Sequence, residues 1–126
     1  MKKIGFMTLL LAFMVSCSQS ENNNKKVSSS ISSIEENKDS LLVDTLIKQQ
    51  KFILANAKID SVILSKPLNQ KGYYYLQKGF SCLMLGHHKE AVSNFELAIS
   101  LGYKVEESKA MIVTAKKMKE TYDQYN

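Results

Sequence analysis

The chain contains no arginine and no tryptophan, only one proline, and two cysteines in 126 residues. All seventeen of its basic residues are lysine. Direct readout of nucleic-acid bases relies on arginine forks on guanine, so their absence argues against a sequence-reading nucleic-acid partner. Missing tryptophan decides nothing. No glycine-rich phosphate loop occurs, and no nucleophile, base and carboxylate stand in a catalytic pattern, which argues against an enzyme. His87 and His88 are adjacent, so their side chains diverge and cannot share one metal as an i, i+4 pair can. The acidic pairs Glu35-Glu36 and Glu106-Glu107 point apart for the same reason, and no cofactor is implied. No apolar run approaches the roughly 20 residues of a membrane-spanning helix. The formal charge is +5, of which Lys2 and Lys3 supply two. Charge alone therefore allows only weak attraction to anionic surfaces.

What is present is a 44% hydrophobic composition, ordinary for a folded chain and enough for one small domain. It is organised around Gly72 to Val105, which predicts two short helices folded back on each other. Tyr75, Leu76, Gly79, Phe80, Leu83 and Met84 recur at steps of three and four and form one apolar stripe. Leu85-Gly86-His87-His88 breaks the run at a glycine suited to a tight turn. Ala91, Val92, Phe95, Ala98 and Ile99 resume it, and Leu101-Gly102 supplies a helix stop. Gly79 faces Ala91 and Ala98 where the helices cross, with Tyr75, Phe95 and Ile99 filling the space around them.

This pattern resembles a tetratricopeptide repeat. The family's early aromatic falls on Tyr75, its small residue on Gly79, and its alanine–aromatic–alanine signature on Ala91, Phe95 and Ala98. Lys78, Cys82 and Tyr103 depart from it, standing where leucine, tyrosine and proline are usual. The resemblance implies an all-α fold, a short array of antiparallel helical hairpins. About two repeats plus a C-terminal capping helix fit within residues 38–126.

From Lys38 to Lys66 the apolar residues Leu42, Leu46, Ile53, Ala55, Ile59, Val62 and Ile63 keep a helical pattern, which Pro67 ends. Leu68-Asn69-Gln70 then connects to the central unit. A shift of thirty-six residues aligns Ala91 with Ala55, Phe95 with Ile59, Ala98 with Val62 and Tyr103 with Pro67. Val43 takes the place of the small residue. No glycine marks a turn near Gln49-Gln50-Lys51, so one long bent helix and two helices both remain open. After Tyr103 a last helix is expected, with Glu106 and Glu107 at its positive start and Lys116, Lys117 and Lys119 at its negative end. Val105, Ala110, Ile112, Val113, Lys116 and Met118 give it a partial apolar face, as a terminal cap requires. Arrays usually need about three units, so self-association into a homo-oligomer would be one remedy.

Residues 1–16 have the three parts of an export signal: Lys2-Lys3, an apolar run from Ile4 to Val15, and the small Ser16. As a helix that run is only about 18 Å long. Met14-Val15-Ser16-Cys17 resembles a bacterial lipobox, which implies that Cys17 is acylated and becomes the first mature residue. Two or three acyl chains hold a protein on a membrane without a transmembrane helix. Ser18 is not the aspartate that retains such proteins at the inner membrane. The resemblance thus points to a lipid anchor in the outer membrane, facing the periplasm. Residues 17–37 are rich in serine, asparagine and charge, and read as a flexible tether. Twenty residues of such chain reach on the order of 25 Å.

Cys82 is then the odd thiol, expected to act as a small buried hydrophobe. Within Tyr73-Tyr74-Tyr75, each residue turns by about 100°, so only part can be core. The repeat alignment sends Tyr75 inward. It also places Tyr73, Leu76, Phe80 and Leu83 towards the concave face with which such arrays hold peptides, where their rings could anchor a partner. The expected function is an envelope lipoprotein that binds another protein as an adaptor or assembly factor. The alternative is an immunity or inhibitor protein neutralising one toxin or envelope hydrolase.

Overall fold

Pro67, with φ −65° and ψ 156°, stands in extended backbone between two helices because its ring removes the donor that a helix interior needs. The computed structural model describes residues 38–126, and five helices occupy them with no strand among the described residues. We name them α1 (38–48), α2 (Phe52–Ile63), α3 (Leu68–Met84), α4 (His88–Ser100) and α5 (Val105–Tyr125). α2 packs on α3, α3 on α4, and α4 on α5. The expected leader (1–16), Cys17 and the expected tether (17–37) lie outside the described residues.

Residues 38–66 form two helices. The break is a left-handed helix stop at Gln50, whose φ is 58°. The Lys51 N–H donates to the Leu46 carbonyl at 2.8 Å and the Gln50 N–H to that of Ile47 at 2.9 Å. Thirty-six residues on, the His87 N–H donates to Cys82 and the Gly86 N–H to Leu83 in the same arrangement. A third copy ends α4, where Tyr103 donates to Ala98 and Gly102 to Ile99. In each, two carbonyls left over at a helix end are satisfied by the chain that turns back across them.

Burial follows the same period. Val43, Gly79 and Ala115 are all buried, one on each of α1, α3 and α5. Ala55 and Ala91, Ile59 and Phe95, and Val62 and Ala98 are buried pairs on α2 and α4. Gly72 and Ser108 are buried in α3 and α5. α5 thus holds the register of a first helix, and its Ser108 and Ala115 meet the hairpin before it.

Two apolar clusters result. One gathers Val43, Ile59, Val62, Ile63 and Tyr74; the other gathers Leu76, Cys82, Leu83, Ala91, Phe95, Ala98 and Ala115. Tyr75 touches both. The deeply buried tyrosine is Tyr74, at 2% exposure, and Tyr75 is only half-buried. α3 lies between α2 and α4 and must hide two faces, whereas a single hairpin stripe anticipates one.

Several expected details differ. Leu42 and Ile53 are exposed: α1 buries Val43, with Ile47 packed against the same cluster, and α2 buries Ala55, Ile59, Val62 and Ile63. Leu68-Asn69-Gln70 is no connector; it is the first turn of α3. α5 runs on to Tyr125, so Lys116, Lys117 and Lys119 fall before its last turn, which holds no basic residue. Ala110, Val113 and Lys116 are exposed, while Ser108 and Ala115 carry the hidden face.

Candidate functional site

Tyr73, Leu76, Phe80 and Leu83 all project from α3, but they do not form one open face. Leu76 and Leu83 are buried at 5% and 3% exposure inside the second cluster. Phe80 is half-buried and meets the Phe52 ring edge-on, with centroids 6.2 Å apart. Tyr73 reaches back to α1: its hydroxyl donates to Asp44 Oδ1 at 2.6 Å and lies 3.2 Å from the Ser40 carbonyl. Its ring meets Tyr74 and Tyr103 edge-on. Burial, and then the hydrogen bond to Asp44, hold the Tyr73 hydroxyl protonated well above the ordinary tyrosine range. The bonds to α1 and the Phe52 contact use these two rings to join the first hairpin to the second.

Lys78 and Cys82 lie in one polar seam between α2, α3 and α4. Lys78 Nζ is 2.7 Å from Asp60 Oδ1 and 3.8 Å from Glu90 Oε1. Burial works against the Lys78 ammonium, but Asp60 and Glu90 outweigh it and raise its pKa. Asn56 donates to Cys82 Sγ at 3.6 Å. Cys82 is fully buried, and burial foremost pushes its thiol up to about 11. Two carboxylates thus hold the Lys78 ammonium at the edge of the core, and burial of the Cys82 sulfur with its raised pKa disfavours the reactive thiolate.

A second location opens at the far end of the helices. There α5 passes the α3–α4 turn and leaves a groove of about 490 Å³, walled by Leu83, Met84 and His88 on one side and Lys117, Met118 and Tyr122 on the other. It shares Gly86, His88 and Tyr122 with a neighbouring recess of about 380 Å³ that adds Lys89, Glu90 and Asp123. The His88 and Tyr122 rings, which line both recesses, lie 6.2 Å apart. Of the four sequence-derived candidates, only Leu83 lines this groove. No protein-family model matches the chain, and neither a curated protein nor a solved structure resembles it significantly.

Met84, Met118 and Tyr122 were not legible as surface. The first two fit apolar stripes and read as core. The available signal was length: the α5 pattern continues beyond what a helix of α4's size can cover. Among the described residues, no three His, Cys, Asp or Glu side chains gather as a metal site would require. No helix among the described residues is long and apolar enough to cross a membrane.

Proposed function

We propose that the chain is a lipid-anchored protein of the bacterial envelope whose short helical array binds another protein and carries out no chemistry itself. The observation that carries this reading is the thirty-six-residue register shared by α1, α3 and α5, expressed in Val43, Gly79 and Ala115. Stacked hairpins of this kind resemble tetratricopeptide repeats, which display side chains from successive helices on a common surface for a partner. The Met14–Cys17 lipobox supports attachment through acyl chains on Cys17, with residues 17–37 as the tether. Ser18 supports the outer membrane, and Glu21 as the lone acidic residue close after Cys17 favours its periplasmic side.

The test is affinity capture from detergent-solubilised envelope, beside a Cys17→Ala form. A specific protein recovered with the anchored chain, together with acyl groups on Cys17 by mass spectrometry, is the expected result. Recovery of no specific partner removes the adaptor reading. An unmodified Cys17 in the mature protein removes the anchor.

A further inference from the structure

α5 has 21 residues and α4 has 13, so α5 outruns its neighbour by about 12 Å. Its buried residues, Ser108 and Ala115, reach no further than its midpoint. The same stripe continues through Met118 and Tyr122 at steps of three and four, yet these are 42% and 60% exposed. Met84, at the end of α3, is 51% exposed and faces the same groove. An apolar stripe that continues past its own covering helix has somewhere to put a second one.

The charges around the groove are unequal in what they have left to offer. Asp123 is paired with Lys119, and Glu90 with Lys78 and His87. Lys117 lines the groove and Lys89 the recess beside it, and neither takes part in an ion pair among the described residues. The rim therefore presents spare ammonium groups around a floor of methionine and tyrosine. Methionine is unbranched and polarisable, and adapts to differently shaped apolar side chains.

We infer that this groove docks an amphipathic helical segment of another protein. Its leucine, methionine or phenylalanine side chains enter between Met84 and Met118, and its carboxylates reach Lys89 and Lys117. The inference rests on the binding reading above and gives it a place and a chemistry. Charge selects the occupant: an acidic segment meets unpaired lysines, whereas a basic one meets repulsion. A second copy joined about a two-fold axis would bring the same lysine-bearing rim against itself, so self-pairing is disfavoured.

The test is selection of random 16-residue peptides on the purified full chain in detergent. Affinities of the enriched peptides are then measured by fluorescence anisotropy. Enriched peptides are expected to carry apolar residues at i, i+3 or i+4 and i+7 with a net negative charge. Their affinity should fall at least tenfold with Met118→Asp and with Lys117→Glu, stay unchanged with Lys51→Glu at the α1–α2 turn, which lines neither recess, and weaken as salt rises. Circular dichroism of each variant checks the fold; both groove substitutions are at exposed positions. Failure to enrich, enrichment of net-basic peptides, or binding indifferent to both groove variants overturns the inference. So does a dimer in sedimentation that Met118→Asp dissolves, which assigns the groove to a second copy. Binding to anionic vesicles that the same variant abolishes, without peptide enrichment, assigns it to a bilayer. An envelope partner still captured by both groove variants leaves the adaptor reading standing and removes the groove. Peptide binding without any captured partner does the reverse.

Discussion

A β-carbon on residue 79 would fall 2.6 Å from Cε1 of Phe95, closer than real β-carbons come to a ring. Phe95 is fully buried, with Ala91 and Ala98 on its own helix also at 0% exposure. The α3–α4 crossing is therefore set by a missing side chain as much as by a present one. Gly79→Ala should gain about 1 kcal/mol in helix propensity and lose about 2 to overpacking, a net destabilisation of about 1 kcal/mol. Phe95→Leu in the same chain should recover part of that loss. A double-mutant cycle in urea should give a favourable coupling between residues 79 and 95, and additive effects would contradict the contact.

Gln50 holds φ 58° at the stop where Gly86 holds 78° in the next unit. Left-handed backbone costs a residue with a β-carbon about 1 kcal/mol or more, and glycine almost nothing. Gln50→Gly should therefore raise stability by about 0.5–1 kcal/mol, part of the gain being lost to the freer unfolded chain. Chemical denaturation reads the sign. A destabilised Gln50→Gly would mean that the glutamine side chain matters in its own right.

These two positions explain what the sequence reveals and what it conceals. The central hairpin was legible because Gly79, Gly86, Ala91 and Ala98 mark a crossing and a turn with residue types chosen for backbone reasons. The α1–α2 turn was open because Gln50 does by strain what Gly86 does freely. Tyr74 was missed because one apolar period describes one buried face, and α3 buries two. Ser108 and Ala115 add little to an apolar pattern, and only the thirty-six-residue shift carried forward from Gly72 and Gly79 lands on them. The groove was concealed for another reason: exposure of Met84 and Met118 depends on where α4 stops relative to α5, which no single helix encodes.

Asp39 bridges two lysines, with Oδ2 at 2.9 Å from Lys66 Nζ and Oδ1 at 2.9 Å from Lys58 Nζ. Those bonds, Lys66 first, hold the Asp39 carboxyl below its ordinary value of 3.8. A depressed carboxylate stabilises the fold above the unfolded-state pKa, and that contribution is lost as pH falls through the folded one. Asp39→Asn should cost about 1 kcal/mol at neutral pH. The gap between variant and parent should close below about pH 3.8, the ordinary value of the group. A gap independent of pH would place the effect in shape instead of charge.

Tyr73 and Asp44 tie α3 to α1 through a 2.6 Å hydrogen bond. Tyr73→Phe should cost about 1 kcal/mol, since it removes the donor and leaves the Asp44 carboxylate to water. The alkaline limb is more diagnostic. The folded hydroxyl stays protonated above the ordinary tyrosine value of 10.0, while the unfolded chain ionises there. Stability should fall as pH rises past about 10, and fall less steeply in Tyr73→Phe. Identical alkaline slopes would show that the bond does not govern this region.

Cys82 supplies a clock for opening of the second hairpin. It is fully buried, and its thiol is pushed from 9.0 up to about 11, by burial first and by the Glu90 charge second. Alkylation needs both an accessible sulfur and a thiolate, and a shift of that size alone lowers the thiolate fraction roughly a hundredfold near neutral pH. In the folded chain, iodoacetamide should therefore modify Cys82 at least a hundred times more slowly than in urea, with the site read by peptide mass spectrometry. The native rate should rise with Gly79→Ala, which loosens the α3–α4 crossing, and not with Lys51→Glu. Reaction then proceeds through opening, and its rate measures the free energy of exposing the sulfur in the seam between α2, α3 and α4. Native labelling as fast as in urea would place the sulfur at the surface and break the link between the Gly79–Phe95 contact and the seal over Cys82.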